Sequence, residues 1–543
     1  MADIVIINPR FDTSFWGMEH CVGLFGKRAN LPVACLALLA ALVPNHHRVT
    51  LIDENVDDID FDRLGRADLI CLTGMCIQAR RMSEILREVK LRGVMTVVGG
   101  PLATVGEETL EGLADVVFIG EADETWPQFL RDWEQGCHRA RYEQREKTDV
   151  TKLPLPRIDL LKTGRYMFGS MQISRGCPFT CEFCDIIVTF GRRPRLKTSQ
   201  QVLAELDSFR RAGFNIIFVV DDNLIGNRKA ITPILRDIIR WQEERAYPLT
   251  LFTEASLDLA EDEELMELMG LANFQSVFVG IESPNEDSLI ETKKLQNVRP
   301  KAGSLVERVR RIQAHGLDVL CGMIVGFDHD DISTFKAVSR FIDDASIANA
   351  LIGQLHAIPT TPLYDRLKEE GRLNGEADSN LYGTNVVPLS MSRSELRDGF
   401  IKVMKETYSA DAYFRRLDAL FIDRGFDVVL YRLPYWRRHR LARAAKLLGA
   451  YLKAFAISAR LLQHVEDPTL RSRYRKQLAH ALRALWSNPH MWFVYAMKTA
   501  FHYHYAQLTR DLASAEDGGE AVPTAVRSFS RAMRQDKAQA AAP

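Results

Sequence analysis

Three cysteines lie within eight residues, at Cys177, Cys181 and Cys184, and this C-x3-C-x2-C spacing constrains the chain more than any other feature. Pro178 follows the first cysteine and disfavours a continuous helix through the group. A short loop of this kind can wrap three thiolates around one corner of an iron–sulfur cube, which leaves the fourth iron without a protein ligand. An open metal position permits chemistry, whereas structural metal sites are closed.

A zinc site and simple core packing are the alternatives for the cysteine group. A zinc site would need a fourth ligand, and no histidine lies near the motif, while Cys137 is the nearest other cysteine. If the three cysteines only pack in a core, their spacing beside Gly176 is a coincidence. We prefer the iron–sulfur interpretation.

The remaining composition sets broader limits. Residues 1–5 enter an apolar run without a basic segment, so we expect no secretory signal. The number of cysteines, nine, is odd, so together with the absence of an export signal we expect no disulfide framework and a reducing compartment. With 46% hydrophobic and 26% charged residues over 543 positions, the chain is typical of a soluble globular protein of several domains. The net charge of -1 gives no overall attraction to nucleic acid. No apolar run reaches about 20 residues, which argues against a spanning helix.

Short apolar segments alternate with helical segments over residues 1–136. Strands are predicted at 3–9, 48–53, 68–73, 94–98 and 115–119, with helices between them, for example at 32–42 and 79–90. This alternation predicts a parallel, doubly wound (Rossmann-like) sheet, which binds ligands at the carboxyl ends of its strands. Gly99, Gly100, Gly120 and Glu121 fall at such ends. Glycine there lets the backbone approach a large ligand closely.

A second strand–helix series is predicted over residues 158–391, after a charged segment at 137–157 whose alternating prolines indicate a linker. Its six strands are predicted at 170–174, 216–221, 250–253, 276–281, 319–325 and 351–357, which fits a partial α/β barrel. The chemistry of such barrels lies at strand ends, where the sequence has Asp221, Asp222, Glu254, Glu282 and Ser283. A helix N-cap or a surface loop accounts for each carboxylate equally well.

Residues 392–512 are predicted to be a helical C-terminal domain, and residues 513–543 a disordered tail. Between positions 432 and 483 there are thirteen Lys and Arg residues against only Glu466 and Asp467, and leucines and aromatic residues lie among them. Cationic helices with an apolar face are typical of peripheral contact with a membrane surface. A basic face that packs on the barrel or is solvated remains the alternative.

The cysteine loop, with Phe183 just before the third cysteine and a partial barrel after it, resembles the radical S-adenosylmethionine (SAM) superfamily. The resemblance implies that Cys177, Cys181 and Cys184 hold a [4Fe–4S] cluster whose open iron binds SAM. It also implies that Phe183 lies beside the adenine of SAM. The polar residues at the barrel strand ends would bind the amine and ribose of SAM, and the segment 359–364 resembles the motif after the last strand.

The N-terminal sheet resembles the cobalamin-binding domain of the B12-dependent class of this superfamily, through residues 31–32, 51–53, 98–101 and 120–121. Gly99 and Gly100 would then bind cobalamin. The histidine motif D-x-H-x-x-G is absent from residues 1–136, so we expect cobalamin without a protein imidazole on cobalt, and ordinary roles for His20, His46 and His47. A sheet domain that only packs or presents substrate is the alternative.

Residues 185–195 and the helical C-terminal extension are similar to the hopanoid C-2 methylase branch. This resemblance implies methyl transfer to an unactivated carbon of a lipid, driven by SAM-derived radicals and cobalamin, with a flavodoxin or ferredoxin as electron donor. It implies a cytoplasmic protein, peripheral on the inner face of the membrane. A tetrapyrrole methylase or cyclase of the same class is the first alternative. An iron–sulfur binding or electron-transfer protein without turnover is the second.

Overall fold

Two parallel β-sheets of six strands each form the frame of the protein. The structure is a computed structural model that describes residues 1–299, 302–374 and 382–514. The segment 513–543, for which disorder is predicted, lies outside the described residues from position 515 onward.

The N-terminal sheet consists of β1 (Asp3–Asn8), β2 (Arg48–Asp53), β3 (Leu69–Thr73), β4 (Met95–Gly99), β5 (Val116–Ile119) and β6 (Arg141–Glu143). Its order is β2-β1-β3-β4-β5-β6, and every neighbouring pair is parallel. The connecting helices are α1 (Ala34–Ala41), α2 (Phe61–Leu64), α3 (Ala79–Lys90), α4 (Pro101–Val105) and α5 (Thr125–Glu134). The strand order reverses between β1 and β3, and doubly wound sheets bind ligands at such a point.

Neighbouring residues of β1 are buried in different cores. Ile4 and Ile6 lie with Phe129 of α5 in one core, whereas Val5 and Ile7 lie in the core that includes residues of α3. A parallel strand covered on both faces is apolar throughout, which is why its sequence signal is strong. The doubly wound fold predicted for this region is confirmed.

The structure has a strand, β6, inside the segment 137–157 for which the sequence predicts a linker. It pairs with β5 at the edge of the sheet, and only Tyr142 of its three residues is buried. The Tyr142 ring stacks on Phe118 with ring centroids 5.2 Å apart. Because charged residues flank this single apolar anchor, the segment has no continuous apolar run by which a strand could be recognised.

The second sheet and a short antiparallel pair consist of β7 (Gly169–Met171), β8 (Ser174–Arg175), β9 (Arg195–Leu196), β10 (Ile216–Val219), β11 (Thr250–Ala255), β12 (Phe274–Glu282), β13 (Asp318–Val325) and β14 (Ala350–Gln354). Strands β7 and β10 to β14 follow one another in sequence order and are parallel, as the six-stranded partial barrel requires. The strand predicted at 170–174 is in fact split into β7 and β8. Strand β8 pairs with β9 and closes the loop at 176–194, which we name the cysteine loop.

The remaining helices cover the barrel and continue into the C-terminal region. Those of the barrel are α6 (Ile186–Thr189), α7 (Ser199–Arg211), α8 (Arg228–Glu244), α9 (Glu263–Leu271), α10 (Glu286–Glu291), α11 (Leu305–Ala314), α12 (Ile332–Asp344) and α13 (Pro362–Glu369). The C-terminal helices are α14 (Arg393–Thr407), α15 (Ala410–Asp418), α16 (Leu433–Arg438), α17 (Arg440–His464), α18 (Pro468–Ala484) and α19 (Pro489–Ser514). The predicted helical C-terminal region is therefore confirmed. Of the helices in the described residues, none combines the length and the apolar character that crossing a bilayer demands.

The connection between β1 and α1, residues 9–33, enters the barrel, and we name it the β1–α1 loop. Its Trp16 ring lies 5.8 Å from Phe218 of β10 and 5.1 Å from Phe278 of β12. Its Phe15 ring stacks on Tyr505 of α19, with ring centroids 4.8 Å apart. The loop therefore packs against both the barrel interior and the C-terminal helices.

A buried network of four charged residues joins the end of the N-terminal sheet to the β8–β9 pair. Arg175 Nη1 lies 3.0 Å from Glu121 Oε2 and also contacts Asp123, and Arg195 Nη2 lies 2.6 Å from Glu121 Oε1. The side chains of Glu121 and Asp123 are 1% and 4% exposed. The Thr148 hydroxyl donates a hydrogen bond of 2.9 Å to Asp123 Oδ2. Because these buried charges are paired, the network fixes the N-terminal sheet to the base of the cysteine loop.

Replacing Arg175 by Leu should destabilise the protein by about 3–5 kcal/mol, since it leaves the buried Asp123 carboxylate without its cation and removes one of the two cations that pair with Glu121. The free energy of unfolding in urea measures this loss. Arg236→Ala is the matched control, because Arg236 and Glu264 form a 2.8 Å pair whose side chains are 60% and 71% exposed; its cost should stay below about 1 kcal/mol. Equal losses in the two variants would contradict the stabilising role of the network.

Candidate active site between the two sheets

A single cavity of about 1830 Å³ lies between the two sheets and is lined by residues of both. The N-terminal domain contributes the carboxyl ends of its strands, including Asn8, Thr73 and Gly99. The barrel contributes inward-facing residues such as Phe218 and Met323. Ligand crevices of doubly wound sheets and of α/β barrels both lie at strand ends, and strand ends of both units face this cavity. Of the cysteine loop, Thr189 and Phe190 line it.

Gly99 and Gly100 line this cavity, where the sequence predicts a large ligand. Gly100 has φ +93°, and a Cβ there would lie 2.7 Å from Thr73 Oγ1 and 3.1 Å from the backbone of Gly74. A side chain would therefore force apart the ends of β3 and β4. Because glycine has no side chain, only backbone atoms form this part of the cavity wall.

The cavity wall fits cobalamin held without an imidazole on cobalt. Among the described residues that line the cavity there is no histidine. His20 instead contacts Asp511 at 3.0 Å, and His46 and His47 contact Glu134 away from the cavity. Their predicted ordinary roles agree with these contacts.

The cysteine loop places the partly buried Cys177 and Cys184 near the buried Cys181: burial raises the pKa of both, and the charge of Cys181 adds to each rise. Cys177 Sγ accepts from Asn223 Nδ2 at 3.9 Å, and Cys181 Sγ accepts from Gln296 Nε2 at 3.6 Å. Burial raises the pKa of Cys184 to about 12. Thiolates in such a place need positive charge nearby, which iron would supply. Three converging thiols therefore suit an iron–sulfur cluster by the chemistry of their donor atoms.

Lys294 belongs to this site although no sequence pattern points to it. Its Nζ lies 2.8 Å from Glu282 Oε1 and 5.8 Å from the centre of the Phe183 ring. Burial opposes its charge, but Glu282 and the nearby cysteine sulfurs outweigh burial and raise the pKa of Lys294. No motif marks this lysine, because it follows α10 in an irregular segment, and only the fold brings it to the cysteines.

Glu282 holds a strained backbone at the cavity wall. Its φ is +67°, which is uncommon for a residue with a side chain, and the pairing of β12 with β13 shifts register at this point. A Cβ on Gly280 would lie 2.2 Å from Glu282 Oε1 and 2.8 Å from Lys294 Nζ. The ion pair of Glu282 with Lys294 therefore depends on the glycine two positions earlier.

Two further predicted carboxylates, Asp222 and Glu254, line the cavity. Burial raises the pKa of Glu254 to about 8, and Asp222 adds to the rise. Burial also raises the pKa of Asp222 to about 6, although its Oδ2 accepts a 2.6 Å hydrogen bond from Gly176 N. Both side chains can accept hydrogen bonds from a polar ligand in this part of the cavity and, when protonated, can also donate a hydrogen bond to it.

The other predicted contacts are engaged elsewhere. Asp221 accepts hydrogen bonds from Ile173 N at 2.7 Å and from the backbone and hydroxyl of Ser174. The Ser283 hydroxyl accepts from Asn285 N at 3.1 Å, just before α10. Neither residue is among those that line the cavity, and the same is true of the three cysteines, Phe183 and Lys294. The cofactor contacts of Asp221 and Ser283 stay predictions. The Phe183 ring centre lies 6.2 Å from that of Phe327 beside the cysteine loop.

Comparison with known protein families divides the chain in the same way as its fold. The B12 binding domain matches residues 29–130, and the radical SAM superfamily matches residues 171–342. A domain of unknown function (DUF4070) matches residues 361–517, which span the C-terminal helices.

Two curated relatives cover most of the chain. An uncharacterized methyltransferase of Synechocystis sp. is 35% identical over 98% of this chain and 96% of its own length. The hopanoid C-2 methylase of Rhodopseudomonas palustris is 32% identical over 76% of this chain and 78% of its own length.

Solved structures share the fold at low sequence identity. The cobalamin-dependent SAM radical enzyme OxsB superposes with a TM-score of 0.60 at 14% identity, over 98% of this chain and 83% of its own. The radical SAM methyltransferase TsrM from Kitasatospora setae superposes with a TM-score of 0.56 at 17% identity, over 74% of this chain and 83% of its own. The two cofactor domains and the two curated relatives together identify the chain as a member of the cobalamin-dependent radical SAM methyltransferase family, whose cofactors are a [4Fe–4S] cluster, SAM and cobalamin.

Proposed function

We propose that this enzyme methylates an unactivated carbon of a lipid, and that its substrate is a hopanoid methylated at C-2. The observation that carries the proposal is the apolar interior of the cavity shared by both cofactor domains. Apart from the carboxylates Asp222, Glu254 and Glu282, much of its wall is formed by aromatic and aliphatic side chains of the barrel and of the β1–α1 loop: Phe15, Trp16, Phe218, Phe278, Met323 and Ile352. An apolar wall of this kind suits a rigid hydrocarbon skeleton. The hopanoid C-2 methylase relative supports the specific substrate.

The chemistry required explains why two cofactors meet in one cavity. An aliphatic C–H bond has no acidity that a general base could use. When bound, SAM on the cluster supplies a radical that removes hydrogen, and cobalamin supplies the methyl group. The chain itself binds and orients the lipid and excludes water with the aromatic wall. The electron that starts the reaction comes from a donor such as a flavodoxin or ferredoxin.

Within this proposal, Cys177, Cys181 and Cys184 are the cluster ligands. Glu254 and Glu282 line the part of the cavity that we assign to SAM, together with Asp222. Lys294 balances the charge of the sulfur atoms and is a candidate partner for the SAM carboxylate. Gly99 and Gly100 form the wall against cobalamin.

Cys181→Ser should abolish cluster binding, because it removes one of three protein ligands. Reconstituted without oxygen, the wild-type chain should hold about four irons and release 5′-deoxyadenosine from SAM, whereas the variant should do neither. Cys137→Ser is the matched control, since Cys137 is exposed, and it should behave as wild type. A Cys181→Ser protein with full iron content would refute the ligand assignment.

The substrate is tested by expression in a host that makes only unmethylated hopanoids. Mass spectrometry of the extracted lipids should show hopanoids heavier by one CH₂ group, with the added methyl at C-2. No new hopanoid should form with the Cys181→Ser variant. Unchanged hopanoids together with a methylated or cyclised tetrapyrrole would contradict the lipid assignment and favour the tetrapyrrole alternative.

A peripheral contact with an anionic membrane is part of this proposal, because the substrate is a bilayer lipid. Helix α17 exposes an apolar stripe formed by Leu441, Leu448, Leu452 and Phe455, which are 90%, 60%, 63% and 50% exposed. Their spacing of seven, four and three residues puts them on one face of the helix. Exposed basic residues occur on α17 and on the end of α16 that precedes it, at Arg437, Arg438, Arg440, Arg443 and Lys453. An exposed apolar stripe on a helix that also carries exposed cations suits an anionic bilayer surface.

Helix α17 also lies against the loop that enters the cavity. Arg460 Nη1 donates a 3.1 Å hydrogen bond to the carbonyl oxygen of Leu24 in the β1–α1 loop. A bilayer bound to the exposed face of α17 is therefore separated from this loop by a single helix. This short path would let a lipid pass from the membrane to the aromatic wall.

Replacing Leu448 and Leu452 together by Ser should weaken vesicle binding about tenfold or more, since two large apolar side chains no longer enter the bilayer. Flotation with phosphatidylcholine vesicles, with and without phosphatidylglycerol, measures the binding. The wild-type protein should prefer the anionic vesicles and dissociate as salt is raised. Leu91→Ser, at a leucine 81% exposed on the N-terminal domain, is the control and should bind as wild type. Equal binding by all three proteins would contradict the contact through α17.

A further inference from the structure

Glu19 places a carboxyl group in the part of the cavity formed by the β1–α1 loop. The residue lines the cavity together with its neighbours Phe15 and Trp16. Ser14 N donates a 3.3 Å hydrogen bond to Glu19 Oε2. Across the described residues, no Lys, Arg or His nitrogen lies within ion-pair distance of this carboxyl group, unlike the paired carboxylates of the buried network.

The loop is built to hold this carboxyl group in position. It lies over Gly17, where a Cβ would be 1.6 Å from Glu19 Oε1, so any other residue at position 17 would displace the carboxyl group from this position. The carbonyl oxygen of Ser14 lies 2.9 Å from His504 Nε2 of α19, and His20 N donates a 3.4 Å hydrogen bond to His504 Nδ1. Two backbone groups on either side of Glu19 are therefore fixed by the C-terminal helix.

The surroundings favour an uncharged carboxyl group. Burial raises the pKa of Glu19 to about 8, although hydrogen bonds from its own backbone N–H and that of Ser14 oppose the rise. A protonated carboxyl group can both donate and accept a hydrogen bond, as a hydroxyl group requires of its partner. Tyr382, whose hydroxyl accepts a 2.9 Å hydrogen bond from Phe15 N, also lines this part of the cavity.

We infer that Glu19 is a polar subsite of the substrate pocket, which binds a hydroxyl group carried by the lipid and selects hydroxylated lipids over pure hydrocarbons. The inference rests on the proposed lipid substrate and deepens it. An apolar wall discriminates poorly between a hydrocarbon and its alcohol. A buried polar group discriminates strongly, because only the alcohol can form a hydrogen bond with it and the hydrocarbon leaves it without a partner. The aromatic wall then accounts for binding of the skeleton, and Glu19 accounts for the choice between lipids of one skeleton.

The test measures equilibrium binding of two lipids, a hopane alcohol and the corresponding hopene hydrocarbon, to the full chain carrying its cofactors. Wild type should bind the alcohol more tightly. Glu19→Leu should weaken alcohol binding about tenfold, which corresponds to about 1.4 kcal/mol for a lost hydrogen-bonded pair, and should leave hydrocarbon binding unchanged or tighter. Glu19→Gln, which keeps a donor and an acceptor, should retain most of the preference. Asp62→Asn, on α2 with its side chain 92% exposed, is the control and should bind as wild type.

The ratio of the two affinities distinguishes a subsite from a merely structural role of Glu19, because a distorted loop would weaken the binding of both lipids together. Equal binding of the two lipids by the wild type, or an unchanged ratio in Glu19→Leu, would overturn the inference. Failure to bind either lipid would overturn it together with the lipid part of the proposed function. A retained preference for the alcohol without any methylated product would count against the proposed reaction and leave the subsite supported.

Discussion

The buried network of Glu121, Asp123, Arg175 and Arg195 is the interaction on which the arrangement of the active site depends. Removing four charges from water is costly, and the cost is offset only because each carboxylate meets a guanidinium at close range. Arg175 directly precedes the cysteine loop, and Glu121 follows β5 of the N-terminal domain. The network therefore holds the cysteine loop against the end of the N-terminal sheet. In the proposed function a methyl donor and a hydrogen-abstracting radical must reach the same substrate, so this contact would help to set the distance between them.

The β1–α1 loop makes the second connection between the parts of the chain. It begins in the cobalamin-binding domain, packs Trp16 into the barrel and is held by His504 of α19. The C-terminal helices thus do more than cover the barrel, since they fix one wall of the cavity. In the proposed function the same helices offer an apolar and basic face to the membrane. Substrate entry, substrate selection and membrane contact would then all involve the region where α17, α19 and this loop meet.

Most of the architecture could be predicted from the sequence, because buried parallel strands are apolar throughout and the cysteine spacing is specific. The features that could not be predicted lack such signals. Strand β6 has a single buried residue, and Lys294 reaches the cysteines only through the fold. Asp221 and Ser283 stay predicted cofactor contacts, and the structure adds that each side chain accepts a hydrogen bond from neighbouring backbone, which strand-end position alone does not indicate. Glu19 lies in a loop whose path into the barrel no local pattern indicates.

The most direct test of the account is whether the cluster and cobalamin face one another across a single cavity. Pulsed electron paramagnetic resonance on the full chain, loaded with both cofactors and partly reduced, measures the magnetic coupling between the cluster and paramagnetic cobalt. The account predicts a dipolar coupling between the two centres in the wild type. When Arg175 is replaced by Leu, it predicts a broader distribution of this coupling. Spectra that equal the sum of two isolated centres would contradict it.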